Sequence, residues 1–503
     1  MIIANTNKHI APYWNDGLNL KLGLNQLGIR NVAEQMFAKL LPGLNNVSSR
    51  IRYYSFYCWI INNFYEGKDS IVEEDFNPYL RRAELLLALI NATREDSSGI
   101  PGITYALTQI QSGIDVISLK DGATWGKESY WANVGGIFRQ YYSASLEEIG
   151  LVGVNNQSSI LYNIRKDGEY INGKMLAESF SESVGQDGKI FLSKIHNDDV
   201  NIEELRSLNE SFNMKLMSHD MVERKLLERM ILQKDNPSRD NQSFHRRNSI
   251  NYVLKYLSLP NTTLNPIGFS RYMYDEFLRG KRDLTSWGWY AYYLDDNWQY
   301  QLTRIFNQVL ITLKGNKDYW TPIDVISENI CHELLSDFEI DKSTTLEKVV
   351  AMADQCGKNN VIHDAINNLL WLYKENKDVI SESEQHYHEM GIEVENYCDF
   401  MKAVTKRLKA PFVDYVRHIV VEDVIFRHYR VSFRKMLQTG LATQKFTIEN
   451  GNIRFIEDWP TSHTSPRIDT LRDFLIDLCL IEREGNVTKY GIELLNGLSN
   501  ENI

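Results

Sequence analysis

A stretch near the amino terminus combines two predicted helices with an unusually high aromatic content. Residues 24–65 read LNQLGIRNVAEQMFAKLLPGLNNVSSRIRYYSFYCWIINNFY. Pro42 and Gly43 separate the two helices, because proline has no amide hydrogen to donate and disfavours helix in the residue before it. In the second helix, apolar side chains recur at helical spacing on two sides. We therefore expect this helix to be a buried central post, with Asn46 or Ser48 as its amino-terminal cap.

Arg50 and Arg52 lie in the first turn of that second helix. The partial positive charge of a helix amino terminus is unfavourable for cations, so a negative group must compensate. One interpretation is that each arginine pairs with a carboxylate of the same chain, such as Glu34. The other is that Arg50 and Arg52 face a phosphate or an acidic partner. Both residues are therefore candidates for nucleic-acid or partner binding.

Composition limits the class of protein. The chain of 503 residues exceeds what one hydrophobic core usually supports, and its 43% hydrophobic and 11% aromatic content indicates a chain folded throughout. The net charge of −11 argues against a general coat for nucleic acid but permits a local basic face. The five scattered cysteines favour a reduced, cytoplasmic location. We find neither a signal peptide nor an apolar run long enough to span a membrane, and we expect no membrane association.

Two segments predict the same order of elements. From residue 138 the pattern indicates a helix, a strand at 151–154, a polar turn, a strand at 160–164 and another helix. After residue 470 the pattern indicates a helix, strands at 480–484 and 487–489, and a final helix. This order is typical of a winged helix, a module that docks on DNA or on protein.

Most of the remaining chain is predicted to be helical. A second aromatic concentration at residues 285–313 favours a helical core over a base-stacking platform. Asp220 and Glu223 predict a capped helix. Residues 446–456, FTIENGNIRFI, predict a β-hairpin. The fold class is thus mainly α, multi-helical, with two winged-helix-like modules and a β-hairpin near the C-terminus. The predicted domains are 1–135 (N-terminal helical domain with the aromatic post), 136–190 (winged-helix-like module), 191–440 (central helical domain) and 441–503 (hairpin plus C-terminal winged-helix-like module).

Motifs for catalysis are weak. Residues 168–174, GEYINGK, have the spacing of a phosphate-binding loop, but Met175 stands where a serine or threonine would hold magnesium. His386 and His388 could chelate a metal on an extended segment, yet no paired cysteine or histidine spacing supports zinc. We therefore predict no cofactor, no metal and no catalytic residue of the chain's own.

Arg239 and His245 are the alternative catalytic candidates. Their separation resembles the arginine-to-histidine spacing of HEPN-type ribonucleases, in which both side chains converge on the scissile phosphate. The motif is short, and the competing interpretation is a polar loop between two helices.

The strongest functional signal is electrostatic. Residues 402–445 hold ten lysines and arginines against three acids, inside a chain of net charge −11. One interpretation is a solvated face that packs on acidic parts of the same protein. The other is a contact with a duplex backbone or an acidic partner. The candidate binding residues here are Arg427, Arg430, Arg434 and Lys435.

Four segments together resemble a group of uncharacterised bacterial proteins found among anti-phage defence genes. They are LGIRNVAEQMFAKLLPGLNNVSSRIRYYSFYCWI, FHRRNSINYVLKYL, VEDVIFRHYR and RIDTLRDFLIDLCLIE. The resemblance implies a cytoplasmic subunit that works with other protein subunits, such as an SMC-like or other ATPase and a nuclease, and it implies no active-site residue.

The leading hypothesis is a non-catalytic accessory subunit of such a defence complex that binds double-stranded DNA or bridges partners. The alternatives are a divergent nuclease, either a HEPN-like ribonuclease or a metal-dependent DNase, and a winged-helix transcriptional regulator.

Overall fold

The computed structural model describes residues 25–66, 70–126, 129–155, 158, 160–166, 170–215, 217–233 and 243–500. The chain is mainly helical, with 62% helix and 6% strand, which confirms the predicted fold class at that level. It divides into two compact units: unit 1 comprises residues 1–33 and 294–464, and unit 2 comprises residues 34–293 and 465–503. The division into four domains stays a prediction.

Helices account for most of the described residues in both units. Short π-type segments at Phe138–Tyr142 and Ile419–Phe426 lead directly into the helices that begin at Ser143 and Arg427. The helices are α1 (Arg30–Leu40), α2 (Arg52–Tyr65), α3 (Phe76–Ala92), α4 (Ile103–Gln111), α5 (Lys120–Ala123), α6 (Ser143–Ile149), α7 (Gly173–Ile195), α8 (Ile202–Ser207), α9 (Val222–Leu232), α10 (Ser243–Leu257), α11 (Pro266–Leu278), α12 (Leu284–Gly315), α13 (Ile323–Asp337), α14 (Leu346–Met352), α15 (Val361–Asn376), α16 (Ile380–Glu389), α17 (Tyr397–Thr405), α18 (Phe412–His418), α19 (Arg427–Thr439), α20 (Ile468–Asp477) and α21 (Lys489–Asn500).

Strands are few and short. They are β1 (Val116–Ser118), β2 (Val152–Val154), β3 (Tyr162–Ile164), β4 (Asp199–Asn201), β5 (Thr321–Pro322), β6 (Phe446–Glu449) and β7 (Asn452–Phe455). β1 pairs antiparallel with β4, β2 pairs antiparallel with β3, and three strands of unit 1 form a sheet in the order β5-β7-β6.

Helix α2 is the buried post that its apolar pattern predicts. Its side chains from Arg52 to Ile61 are all buried, and it packs mainly against α7, with α3, α9 and β3 on other sides. The predicted cap is wrong, because no side chain caps α2 at Ile51. The side chain of Asn45 instead accepts hydrogen bonds from the amides of Val47 and Ser48 at 2.8 and 2.7 Å, and so closes a turn before the helix begins.

The predicted β-hairpin is confirmed. Strands β6 and β7 pair antiparallel, with Glu449 opposite Asn452. Asn450 and Gly451 form the turn between them with φ of 49° and 75°. Asparagine and glycine are the residues that best tolerate positive φ in a two-residue hairpin turn.

The two winged-helix-like segments differ in how far the structure follows the prediction. In the first, α6, β2, β3 and α7 follow one another in the predicted order, and Val152 lies opposite Ile164. In the second, α20 and α21 flank a single antiparallel bridge between Ile481 and Val487, so the two strands predicted there are wrong. The winged-helix assignment of both segments therefore stays a prediction.

The second aromatic concentration forms α12, which confirms its interpretation as helical core. Trp287, Trp289 and Tyr290 are buried within unit 2, and Trp298 and Phe306 are buried within unit 1. Within the described part of the chain, every helix falls short of the length and apolar character needed to cross a bilayer. All five cysteines are free.

Candidate functional site

Five of the ten cations of residues 402–445 pair with carboxylates of unit 1. Several of these bonds join the segment to acids far from it in sequence, so half of its cations are compensated by carboxylates inside the unit. The pairs are Lys402 with Glu384, Arg417 with Glu328 at 2.5 Å and Asp414 at 3.0 Å, Arg427 with Glu395 at 2.7 Å, Arg430 with Glu422 at 3.5 Å, and Lys445 with Glu457.

The contacts of Arg427 with neighbouring carboxylates give it a structural role. Its two terminal nitrogens donate to the two carboxylate oxygens of Glu395 at 2.7 and 2.8 Å, and Asp423 lies 3.5 Å from one of them. A two-point arginine–carboxylate contact fixes orientation as well as charge. Arg427 therefore holds α19 against the turn that precedes α17.

Lys435 also contacts the body of unit 1. Its ammonium group donates to the backbone carbonyl of Asn25, and partial burial lowers the pKa of this lysine below its usual value. Lys435 therefore lies on the side of α19 that packs inward.

The carboxyl-terminal part of α19 presents a different surface. Arg430, Arg434 and Leu437 follow at intervals of four and three residues and therefore share one helix face. Leu437 is 70% exposed, and Leu441, just past the helix end, is 43% exposed. Arg434 is exposed and has no ion-pair partner among the described residues. We call Arg430, Arg434, Leu437 and Leu441 the α19 patch.

Arg50 and Arg52 both pair with carboxylates of unit 2. Arg52 is buried, its Nε lies 3.2 Å from both carboxylate oxygens of Glu223, and one terminal nitrogen donates to the Asn213 carbonyl at 2.6 Å. Arg50 donates to Asp477 at 2.8 Å. The positive charge at the start of α2 is thus compensated within the fold. The cap predicted from Asp220 and Glu223 is wrong, because α9 begins at Val222 without a side-chain cap, and Glu223 binds Arg52 instead.

The pair formed by Arg50 and Asp477 lies in a cleft of about 680 Å³ in unit 2. The cleft is bounded by the loop after α3, the segment before α9 and the turn between α20 and α21. Burial raises the pKa of Asp477 to about 7, although Arg50 opposes the shift. At the cleft wall, Asp96 binds Lys215 and also Arg483, the latter at 3.1 Å.

His245 lies in the first turn of α10 and is buried. Its Nδ1 lies 2.9 Å from the Thr285 hydroxyl, and burial lowers the pKa of its imidazole to about 4. His245 is 2% exposed, and the Thr285 hydroxyl lies against its Nδ1. Arg239 lies outside the described residues, so the convergence of this pair stays a prediction.

Two buried carboxylates that the sequence interpretation missed accept backbone amides at helix starts. Glu84 accepts the amides of Ile137 and Phe138 at 2.9 and 2.7 Å, and burial raises its pKa to about 7. Asp295 accepts the amide of Tyr397 at 2.8 Å, and burial raises its pKa to about 8. Each acid interrupts an apolar helical run, which is the signal that could have found it.

An aspartate–histidine pair in unit 1 was also missed. Asp296 lies 2.6 Å from Nδ1 of His463 and accepts the amide and hydroxyl of Thr464 at 2.7 and 2.8 Å. Such a pair orients an imidazole for proton transfer. Among the described residues, however, no serine, threonine or cysteine side chain donates to this imidazole. The geometry therefore supports a structural role, in which Asp296 anchors residues 463–464 to α12.

Metal ligands are not brought together in the described residues. His386 and His388 lie on helix α16 and not on an extended segment, which corrects the geometry expected for them. Across the described ranges, no group of three or more histidine, cysteine, aspartate or glutamate side chains is placed to hold a metal ion. The loop at 168–174 lies partly outside the described residues, and Asn172 there caps α7 by accepting the Met175 amide.

Comparison of the chain with models of protein families, with curated proteins and with solved structures found no match.

Proposed function

We propose that this chain is a non-catalytic accessory subunit that binds an acidic protein partner through the α19 patch. The observation that carries the proposal is the difference in pairing and exposure between the arginines of residues 402–445. Arg417 and Arg427 are paired with carboxylates inside unit 1, whereas Arg434 and Leu437 are exposed on the same helix face. An arginine beside an exposed leucine suits an interface in which an apolar contact is surrounded by charge pairs.

Protein is favoured over double-stranded DNA, the other partner expected from the sequence. Binding to a duplex backbone draws its free energy from several cations that each neutralise a phosphate. In the segment 402–445, five of the ten cations already have carboxylate partners and are not free to neutralise phosphates. Leu437 and Leu441 add nothing to a phosphate contact, but they would pack against the apolar face of a partner helix.

The winged-helix-like segment around β2 and β3 is part of the same proposal. Its support is the succession of α6, β2, β3 and α7, an order that suits a module for contact with another macromolecule. The proposed setting is a bacterial, cytoplasmic anti-phage defence complex with an ATPase or a nuclease as neighbouring subunits. That setting rests on the sequence resemblance alone.

The proposal is tested by placing a photo-crosslinking amino acid at position 437 in the native host. Position 406 serves as the matched control, because Lys406 is exposed on the same unit and has no ion-pair partner among the described residues. We expect a defined, acidic protein to crosslink at 437 and not at 406. The purified chain is also titrated with a 30-base-pair duplex at about 100 mM salt, a range in which phosphate contacts remain strong.

Two results would refute the proposal. One is the same set of crosslinked proteins at both positions, which would mean chance encounters. The other is tight duplex binding that disappears when Arg430 and Arg434 are reversed to glutamate, which would assign the patch to DNA.

A further inference from the structure

The cleft that contains Arg50 and Asp477 belongs to unit 2 and has no part in the α19 patch. Its volume of about 680 Å³ falls within the range of small-molecule sites in proteins. Its walls come from three separate parts of the chain, so the fold holds it open independently of any one loop. Met217 and Ile481, both buried, give it an apolar wall.

The charges lining the cleft are unbalanced. Three cations face five carboxylates, which leaves an excess of negative charge. Asp96 takes two of the cations, Lys215 and Arg483. Glu482 and Glu484 in the turn after α20 are exposed and have no cationic partner among the described residues. The surplus charge is therefore at the mouth of the cleft, where it attracts positively charged ligands.

The deep end of the cleft holds an incompletely paired ion pair. Arg50 donates to Oδ1 of Asp477 at 2.8 Å, and the side chain of Asp477 is 1% exposed. Within the described structure, Oδ2 of Asp477 is buried without a hydrogen-bond partner, and so is Nε of Arg50. Buried polar atoms are nearly always satisfied, so an acceptor and a donor left open beside a cavity point to a ligand that satisfies them.

We propose that this cleft binds an organic ligand through a primary ammonium group that pairs with Asp477. An ammonium donates up to three hydrogen bonds and accepts none, which matches the open oxygen of Asp477. The carboxylates of Glu482 and Glu484 stabilise the same positive charge at the mouth. Arg50 Nε remains available to an oxygen acceptor on the same ligand. The ammonium belongs either to a free polyamine or to a lysine of a peptide.

The test is calorimetric titration of the full chain with two probes, spermidine and a lysine-containing pentapeptide with a blocked amino terminus. The same pentapeptide with its lysine acetylated is the control ligand, because acetylation removes the charge and keeps the length. Saturable binding of spermidine alone identifies a polyamine site, and saturable binding of the unmodified peptide alone identifies a peptide site.

Three variants decide whether the cleft is responsible. Asp477→Asn should weaken binding at least tenfold. Because Asp477 also supports the start of α2, the double variant Glu482→Gln/Glu484→Gln at the exposed mouth provides an independent measure, with an expected loss of threefold or more. The matched control Glu178→Gln/Glu203→Gln removes two exposed carboxylates elsewhere on unit 2 and should leave the affinity unchanged.

The proposal is overturned if neither amine probe binds saturably, or if the acetylated peptide binds as well as its parent. It is also overturned if the mouth variant binds as tightly as its control. None of these results bears on the α19 patch, which belongs to unit 1.

Discussion

The buried pair of Arg52 and Glu223 offers a quantitative test of how unit 2 is held together. Both side chains are almost completely buried, and Glu223 also accepts hydrogen bonds from the hydroxyls of Ser55 and Ser183 at 2.5 and 2.6 Å. Glu223→Gln keeps the volume but leaves the guanidinium of Arg52 uncompensated. Breaking one side of a buried ion pair costs about 3–5 kcal/mol.

The loss is measured by urea denaturation followed by circular dichroism. A decrease of about 3 kcal/mol in the free energy of unfolding corresponds to roughly a hundredfold change in the unfolding equilibrium. Hydrogen exchange of peptides from α2 and α9 then places the effect in unit 2. The matched control is Glu178→Gln, which removes an exposed partner of Lys174 at 3.7 Å and should cost at most about 0.5 kcal/mol.

A double substitution that removes both charges separates the effect of an unpaired buried charge from the effect of lost side-chain packing. In Arg52→Met/Glu223→Leu the hydroxyls of Ser55 and Ser183 retain the backbone carbonyls of Arg52 and Phe180 as acceptors, at 2.9 Å each. We expect the double variant to be more stable than Glu223→Gln, because no unpaired charge is left buried. A loss below about 1 kcal/mol in Glu223→Gln would contradict the buried-pair account.

Three further predictions concern local structure. Gly43 has a φ of 75°, and a Cβ added there would lie 2.2 Å from Ile149, whereas Gly440 has a φ of 70° and open space around it. In the same urea assay, Gly440→Ala should cost only the roughly 1–2 kcal/mol expected for left-handed backbone, and Gly43→Ala should cost well over that amount. Equal losses in the two variants would refute the packing argument. Burial lowers the pKa of His428 to about 4 from an unfolded value near 6.5, so its stabilising contribution is complete above pH 6.5 and is lost as the pH falls towards 4. The free energy of unfolding should therefore fall less across that pH window in His428→Gln than in the wild type. The same dependence of stability on pH in both proteins would contradict this. Leu437→Ser should change the free energy of unfolding by less than about 0.5 kcal/mol because the side chain is exposed, and a loss of 2 kcal/mol would show that it is packed.

Local patterns in the sequence predicted local structure well. The apolar sides of α2 predicted its burial, and Asn450 with Gly451 predicted the turn of the hairpin. Both features depend on neighbours within a few residues, where periodicity and backbone preference decide the outcome. The end of the chain shows the limit, since residues 480–484 and 487–489 were predicted to be strands yet form only one bridge, between Ile481 and Val487.

Partners distant in sequence could not be predicted. The need for a negative group at the start of α2 was foreseen, but Asp477 lies 427 residues from Arg50 and Glu223 lies 171 residues from Arg52. A charge count along the chain likewise could not show that Glu395 would neutralise Arg427. Only the fold brings these groups together. Because it pairs part of the basic segment 402–445 with carboxylates, the candidate binding surface is the smaller α19 patch.

The most direct test of the central claim is the affinity of the protein captured at position 437 for three purified forms of this chain. They are the wild type, Arg430→Glu/Arg434→Glu, and the control Lys406→Glu/Lys409→Glu, which makes the same change of charge at exposed positions of the same unit. We predict that the dissociation constant rises at least tenfold in the first double variant, a loss of about 1.4 kcal/mol or more, and stays within twofold in the second. Equal weakening in both variants would reduce the interaction to general charge attraction and contradict a specific docking face on α19.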